Sequence, residues 1–264
     1  MGALVNYQTE KGVAVLTLND PPVNAYSYEM LKELDQYILE ARFDNDVHVL
    51  VLTGYGDRFF SAGANINMLR EADQTFKYYF CLHANETITR LEHTPKLVIA
   101  AINGHCVGGG LEIALAADMR IAREGELQLG LPEVALGVLP GTGGTQRLSR
   151  LIGKSRAIEL MVEGAKMNAN KALELGLVNK VWRAESHDEF LRQVVDYAHG
   201  FCPPSGAAFA VGRIKRSVQS GLEMSIEQGL AFERELQAEL FASGDAKEGL
   251  NAYVSKKKAQ FRGR

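Results

Sequence analysis

Lys96-Leu97-Val98-Ile99-Ala100-Ala101-Ile102-Asn103-Gly104-His105-Cys106-Val107-Gly108-Gly109-Gly110-Leu111-Glu112-Ile113-Ala114-Leu115-Ala116-Ala117 is the stretch that decides the fold. Lys96–Ile102 is a continuous, non-alternating apolar run, the pattern of a strand covered on both faces. Leu111–Ala117 reads as helix. Three consecutive glycines between them put free backbone N–H groups at a helix N-terminus, a place that favours an anion or a developing oxyanion. Glycine there also lets a ligand approach the main chain closely. The run is not a Walker loop, since no Lys-Ser/Thr follows. It is not a G-x-G-x-x-G turn either, since Ile113 stands at the third glycine's place. On these residues alone, a tight strand-to-helix packing turn explains the run as well as a ligand site does.

Glu112 sits one turn into this helix, flanked by Leu111, Ile113, Ala114 and Leu115. A carboxylate in so apolar a segment is costly to bury unless it is paired or functional. Burial raises its pKa and the helix N-terminus opposes that. The competing reading is a partly exposed carboxylate favoured by the helix dipole. Glu133 follows Pro132 in the apolar stretch Leu131–Leu139 and by itself reads as a loop or helix-start residue.

Outward from this centre, Val13–Leu18 and Val47–Thr53 are further short apolar strands. Met30, Leu31, Leu34, Tyr37, Ile38 and Ala41 recur at helical spacing, as do Phe76, Tyr79, Phe80, Ala84, Ile88 and Leu91. Strands alternating with helices give an α/β layered domain. Beyond Leu148 the pattern turns helical. Asn168 and Gly176 bracket one short helix, and Ser186-x-x-Glu189 opens another as a capping box. After the break at Pro203-Pro204-Ser205-Gly206, helices are expected over roughly 206–220 and 224–243. We divide the chain into a core over 1–195 and a helical region over 196–264. Leu230, Phe232, Leu236, Leu240 and Phe241 are too few for an independent core, so this region packs on another subunit or on the main domain.

The 264 residues fit one large domain or one domain with an appendage. Hydrophobic residues make up 46%, too many for a disordered chain. Lys and Arg total 29 against 32 Asp and Glu, a net charge of −3 that argues against a nucleic-acid or membrane-surface binder. The uncharged stretch Leu97–Leu111 is shorter than the roughly 18–20 residues that span a bilayer. The N-terminus shows no secretory or import leader. Cys81, Cys106 and Cys202 are far apart and form no CxxC, so a reducing, cytoplasmic setting is expected. The six histidines form no HExxH, so no metal site is expected. Ser61 lies in no G-x-S-x-G elbow. Phe60 and Met68 read as core residues with an acyl pocket as the alternative. Asp245–Arg264 carries Lys247, Lys256, Lys257, Lys258, Arg262 and Arg264 against two acids, a net +4. That is a solvated helix end or, with Phe241 and Phe261, a partner for substrate phosphates.

Taken together, Ser61-Ala62-Gly63-Ala64-Asn65-Ile66, the Ile102–Ala122 segment and Leu131–Leu148 resemble the enoyl-CoA hydratase/isomerase (crotonase) superfamily, and the similarity covers nearly the whole chain. The resemblance implies a crotonase (ClpP-like) spiral of repeated ββα units with a C-terminal helical oligomerisation region, assembled as a trimer or a hexamer of two trimers. It implies an oxyanion hole from the N–H groups of Ala64 and Gly109, with Glu112 and Glu133 as an acid–base pair. Substrate contacts are implied at Pro22, Val23, Ala62, Ala64, Asn65, Ile66, Asn67, Met68, Gly108 and Gly109, and at Phe241, Lys258 and Phe261. The implied substrate is an acyl-CoA thioester, with no cofactor, no nucleic acid and no membrane partner. Both glutamates are retained, which favours hydration of a 2-enoyl-CoA. An isomerase or hydrolase of the same superfamily, or a non-catalytic RNA-binding member, is the alternative. Asn65 and Asn67 depart from the Asp and Lys common at these places, which puts one CoA phosphate contact in question.

Overall fold

The computed structural model describes residues 2–264. β1 (Val5–Glu10) and β2 (Val13–Leu18) form an antiparallel hairpin. α1 (Tyr28–Phe43) starts at Ser27, whose hydroxyl accepts the Met30 N–H, and buries the stripe Met30, Leu31, Leu34, Ile38 and Ala41. A unit then repeats: one strand in a large sheet, one short strand in a second sheet, then helix. It runs first through β3 (Val49–Gly54), β4 (Phe59–Ser61), α2 (Ile66–Glu71) and α3 (Gln74–Glu92). It continues through β5 (Leu97–Ile102), β6 (His105–Val107) and α4 (Gly109–Leu115). The third pass is β7 (Met119–Arg123), β8 (Leu129–Gly130), a 3-10 turn (Glu133–Leu136), α5 (Gly144–Ile152) and α6 (Lys154–Val162). β9 (Lys166–Met167), α7 (Ala169–Glu174) and β10 (Lys180–Trp182) complete both sheets.

The large sheet has the order β1-β2-β3-β5-β7-β10 and the small one β4-β6-β8-β9. From β2 to β10 every pairing in the large sheet is parallel. This is the α/β spiral of ββα units that the sequence leads one to expect. The continuous apolar runs are explained by two cores. Leu50, Leu52, Val98, Ala100 and Ile102 face the core shared with α1, α3 and α4. Their neighbours Val49, Val51, Leu97, Ile99 and Ala101 face Phe190, Val194 and Ala198 of α8 (His187–His199). Period-2 alternation is present, but both faces are apolar.

Residue 195 falls inside α8, a helix whose apolar face belongs to the core beneath the large sheet. Cys202 belongs to the same core, and Val211 farther along still packs against it. α9 (Ala208–Gly221), α10 (Ile226–Ala242) and α11 (Gly244–Val254) follow. α9 is docked by buried Lys215, whose Nζ lies 2.8 Å from the Asp118 carboxylate and donates to Lys96 O at 3.0 Å. Its backbone at Gly212 rests directly on Pro95 O, with no room for a side chain.

Candidate active site

Two buried asparagines align the loops that enter the site. Asn103 Oδ1 accepts the Gly54 N–H at 3.1 Å, and its Nδ2 donates to Gly56 O at 2.6 Å. Asn24 Nδ2 donates to Tyr55 O and Phe59 O at 3.0 and 2.9 Å. The turns leaving β3 and β5 are thereby tied together where both strands end. Beyond them the segment Pro22–Tyr26 runs alongside Ala62–Asn65. Ala62 N donates to Val23 O, Tyr26 N to Gly63 O and Asn65 N to Tyr26 O, at 2.9–3.0 Å.

That pairing skips one donor. Among the described residues nothing accepts the Ala64 N–H, nor that of Gly109. Gly108, at φ 56°, turns the chain into α4, donating to Gly130 O and accepting from Leu111 and Glu112. The two free amides share one locality, since a Cβ on Gly63 would sit 3.0 Å from Gly109 N. The glycine run serves close packing as well. A side chain on Gly109 would overlap the Tyr26 phenol, and one on Gly110 would overlap Ser61 O. The packing turn and the donor site are therefore the same object.

Glu112 is 2% exposed, and its Oε1 accepts two main-chain N–H groups, from Thr142 and Gly144, each at 2.7 Å. Gly143 makes this cradle possible, its φ of 103° turning both donors toward one point as α5 begins. Burial pushes the Glu112 pKa up to about 7; the Gly144 N–H opposes the rise and the nearby Glu133 adds to it. Glu133 opens the 3-10 turn. Its Oε1 lies 3.1 Å from where a Cβ on Gly108 would be, and its Oε2 is buried with no partner among the described residues. Burial raises its pKa too, against its own backbone N–H. Tyr26 is 2% exposed, with its pKa raised by burial and by Glu112 and Glu133.

Pro22, Val23, Ala62, Ala64, Asn65, Gly108, Gly109, Glu112 and Glu133 thus share one region, with Ile66, Asn67 and Met68 following on α2. The Asn65 side chain is spent as the α2 cap, accepting the Met68 N–H at 3.1 Å. Ile66 and Asn67 are exposed, while Met68 is half-buried against the core. Phe261 is elsewhere. Phe261 N donates to Pro204 O, and the Asp245 carboxylate holds the N–H groups of Arg262 and Gly263 beside His48. His48 precedes β3, whereas the loops tied together by Asn24 and Asn103 leave the other end of that strand. Phe241 and Lys258 are exposed in that helical region. Tyr26, Thr142 and Gly144 have places in the site that sequence reading did not assign. Among the described residues no group of three or more His, Cys, Asp or Glu is placed to hold a metal, and no helix is long and apolar enough to cross a membrane.

The parallel α/β spiral thus brings a buried carboxyl and a partly buried one beside two unspent main-chain N–H groups, an arrangement that can move protons next to an oxygen held by main-chain donors. Comparison with known proteins gives the family. The profile of the enoyl-CoA hydratase/isomerase family matches residues 8–264. A short-chain-enoyl-CoA hydratase of Clostridium acetobutylicum is 39% identical over 96% of this chain and 95% of its own. A crotonyl-CoA hydratase of Syntrophomonas wolfei is 36% identical over 96% of each. The crystal structure of an enoyl-CoA hydratase from Geobacillus kaustophilus superposes with a TM-score of 0.95 at 42% identity, over 100% of this chain and 98% of that one. The chain belongs to the enoyl-CoA hydratase/isomerase family.

Proposed function

We infer that the chain is an enoyl-CoA hydratase, adding water reversibly across the 2,3 double bond of an acyl-CoA thioester. The observation that carries this is the placement of buried Glu112 and partly buried Glu133, with its Oε2 enclosed, near the free amides of Ala64 and Gly109. As water attacks Cβ, negative charge builds on the thioester oxygen. Two fixed N–H donors stabilise that enolate more than the ground state, by roughly 3–4 kcal/mol per donor. Glu112 takes a proton from the water as the C–O bond forms. Glu133 delivers a proton to Cα as the enolate collapses. The two carboxyls titrate as a coupled pair, and the hydroxyl at Cβ and the proton at Cα enter on one face, a syn addition. No electrons are exchanged with a carrier, so the chemistry calls for no cofactor beyond the CoA of the substrate.

Pro22, Val23 and Ala62–Met68 form the rim along which CoA runs. Phe241, Lys258 and Phe261, from the C-terminal helical region, reach a CoA nucleotide in an assembly of subunits. α9 and α10 leave Ile214, Val218, Leu222, Ile226 and Leu230 exposed, the first three beside an open groove of about 980 Å³. Other subunits of a trimer, or of a hexamer of two trimers, cover this face. The three free thiols fit a reducing, cytoplasmic setting. Incubation with crotonyl-CoA in heavy-oxygen water tests the reading: 3-hydroxyacyl-CoA carrying the label is expected. A shifted double bond or free CoA instead would point to an isomerase or a hydrolase.

A further inference from the structure

We propose that Tyr26 is the positioning residue of this site: its main chain clips the Ala64 turn, its ring backs Gly109, and its hydroxyl acts through Thr142 on Glu112. The inference rests on Glu112 handling the proton of the attacking water. Three separate contacts meet in this one side chain and its peptide. Tyr26 N and O bond Gly63 O and Asn65 N at 2.9 Å each, on either side of the free Ala64 amide. The ring occupies the space that a Gly109 side chain would need, so it fixes where that second amide sits. It is held in turn by stacking on Phe80, with centroids 5.9 Å apart.

The hydroxyl is fully enclosed, and its partner is Thr142 Oγ1 at 3.0 Å. Thr142 in turn donates its N–H to Glu112 Oε1 at 2.7 Å, one of the two main-chain bonds that hold that carboxyl. With Tyr26 O–H donating to Thr142 Oγ1, the threonine is anchored at its side chain, and with it the N–H that Glu112 Oε1 accepts. Such an anchored donor favours the ionised carboxyl, the form that accepts a proton from water. The other charged or titratable groups around Glu112 are Glu133 from the 3-10 turn, Cys81 from α3 and Arg147 of α5, which packs over Gly143. Glu133 and burial oppose ionisation, and the Thr142–Gly144 cradle supports it.

The test compares kcat, KM and the kcat–pH profile for crotonyl-CoA hydration in Tyr26→Phe, Thr142→Val, Thr142→Ser and Glu112→Gln. Tyr26→Phe keeps the ring and the peptide, so KM should stay within about twofold while kcat falls about tenfold, the scale of one hydrogen bond into a charged group. The acid limb of the profile should move to higher pH. Thr142→Val should reproduce both changes and Thr142→Ser should recover most of them, which decides the matter even if Tyr26→Phe does not fold. Wild-type kcat and an unmoved acid limb in Tyr26→Phe, or equal behaviour of the Val and Ser variants, would overturn the proposal. Glu112→Gln separates the two levels. If it retains activity, the role of Glu112 is wrong; if it is inactive while Tyr26→Phe behaves as wild type, only the positioning role is wrong.

Discussion

Glu112 enters the site from a regular helix and is held at one oxygen by two main-chain N–H groups, whereas Glu133 enters from a four-residue 3-10 turn and leaves Oε2 buried without a partner. The turn around Glu133 carries Val134, Leu136 and Val138 exposed, while every residue of α4 is buried. A pinned carboxyl keeps one distance to an incoming water. A carboxyl with a free oxygen on a short turn can follow Cα as its hybridisation changes. Burial raises both proton affinities, but only the first group has a built cradle that opposes the rise from outside its own residue.

Separate substitution tests that division most strongly. Glu112→Gln and Glu133→Gln should each lower kcat for crotonyl-CoA hydration by about 10²–10⁴-fold, the range of a general acid or base, with the larger loss at Glu112. Near-full rate in either variant breaks the two-carboxyl scheme. The pH dependence comes next. In the proposed role Glu112 must be ionised to accept a proton, and burial pushes its pKa up to about 7, so kcat/KM should fall toward tenfold per pH unit below neutrality. A profile flat down to pH 5 would show that Glu112 is not the base.

Stability gives a third contrast. A carboxyl whose pKa is raised by folding favours the fold below its unfolded pKa of 4.5, and that support is lost as pH rises toward 7. At pH 8 the ionised Glu112 therefore costs about 3 kcal/mol. Glu112→Gln should raise the thermal midpoint at pH 8 and lose that advantage near pH 5, with a smaller gain for the less buried Glu133→Gln. The smallest effects separate two glycines. Gly144→Ala places a Cβ 3.0 Å from Glu112 Oε1 and 2.9 Å from Leu131 Cδ1, so kcat should drop several-fold. Gly137→Ala, at the end of the Glu133 turn, meets nothing within 4 Å and should cost only the left-handed strain of about 1 kcal/mol at φ 72°, with kcat intact.

The strands β2, β3 and β5 and the helices α1 and α3 were legible because apolar spacing reports burial directly. The Gly108–Gly110 run and Glu112 were legible because a strand, a glycine turn and a helix are consecutive in the chain. β1 was not: Val5–Glu10 is a polar edge strand that pairs on one side only. The small sheet is made of strands of two or three residues, too short to alternate. The Ser186–Glu189 box closes only halfway, because Glu189 accepts from Glu185 N rather than from the cap. Tyr26 was hidden for a different reason. Its hydroxyl meets a threonine 116 positions away, and no local pattern marks a contact of that separation. Thr142 and Gly144 lie in a glycine-rich segment that stands out by composition, yet only the folded chain shows that their N–H groups point at a buried acid.

A crystal structure with a bound 3-ketoacyl-CoA, whose enolised thioester mimics the charged intermediate, tests the arrangement most directly. The thioester oxygen should lie about 3 Å from both Ala64 N and Gly109 N, with the Glu112 and Glu133 carboxyls flanking the Cα–Cβ bond. An oxygen bound by neither amide, or either carboxyl turned away from that bond, would contradict the account.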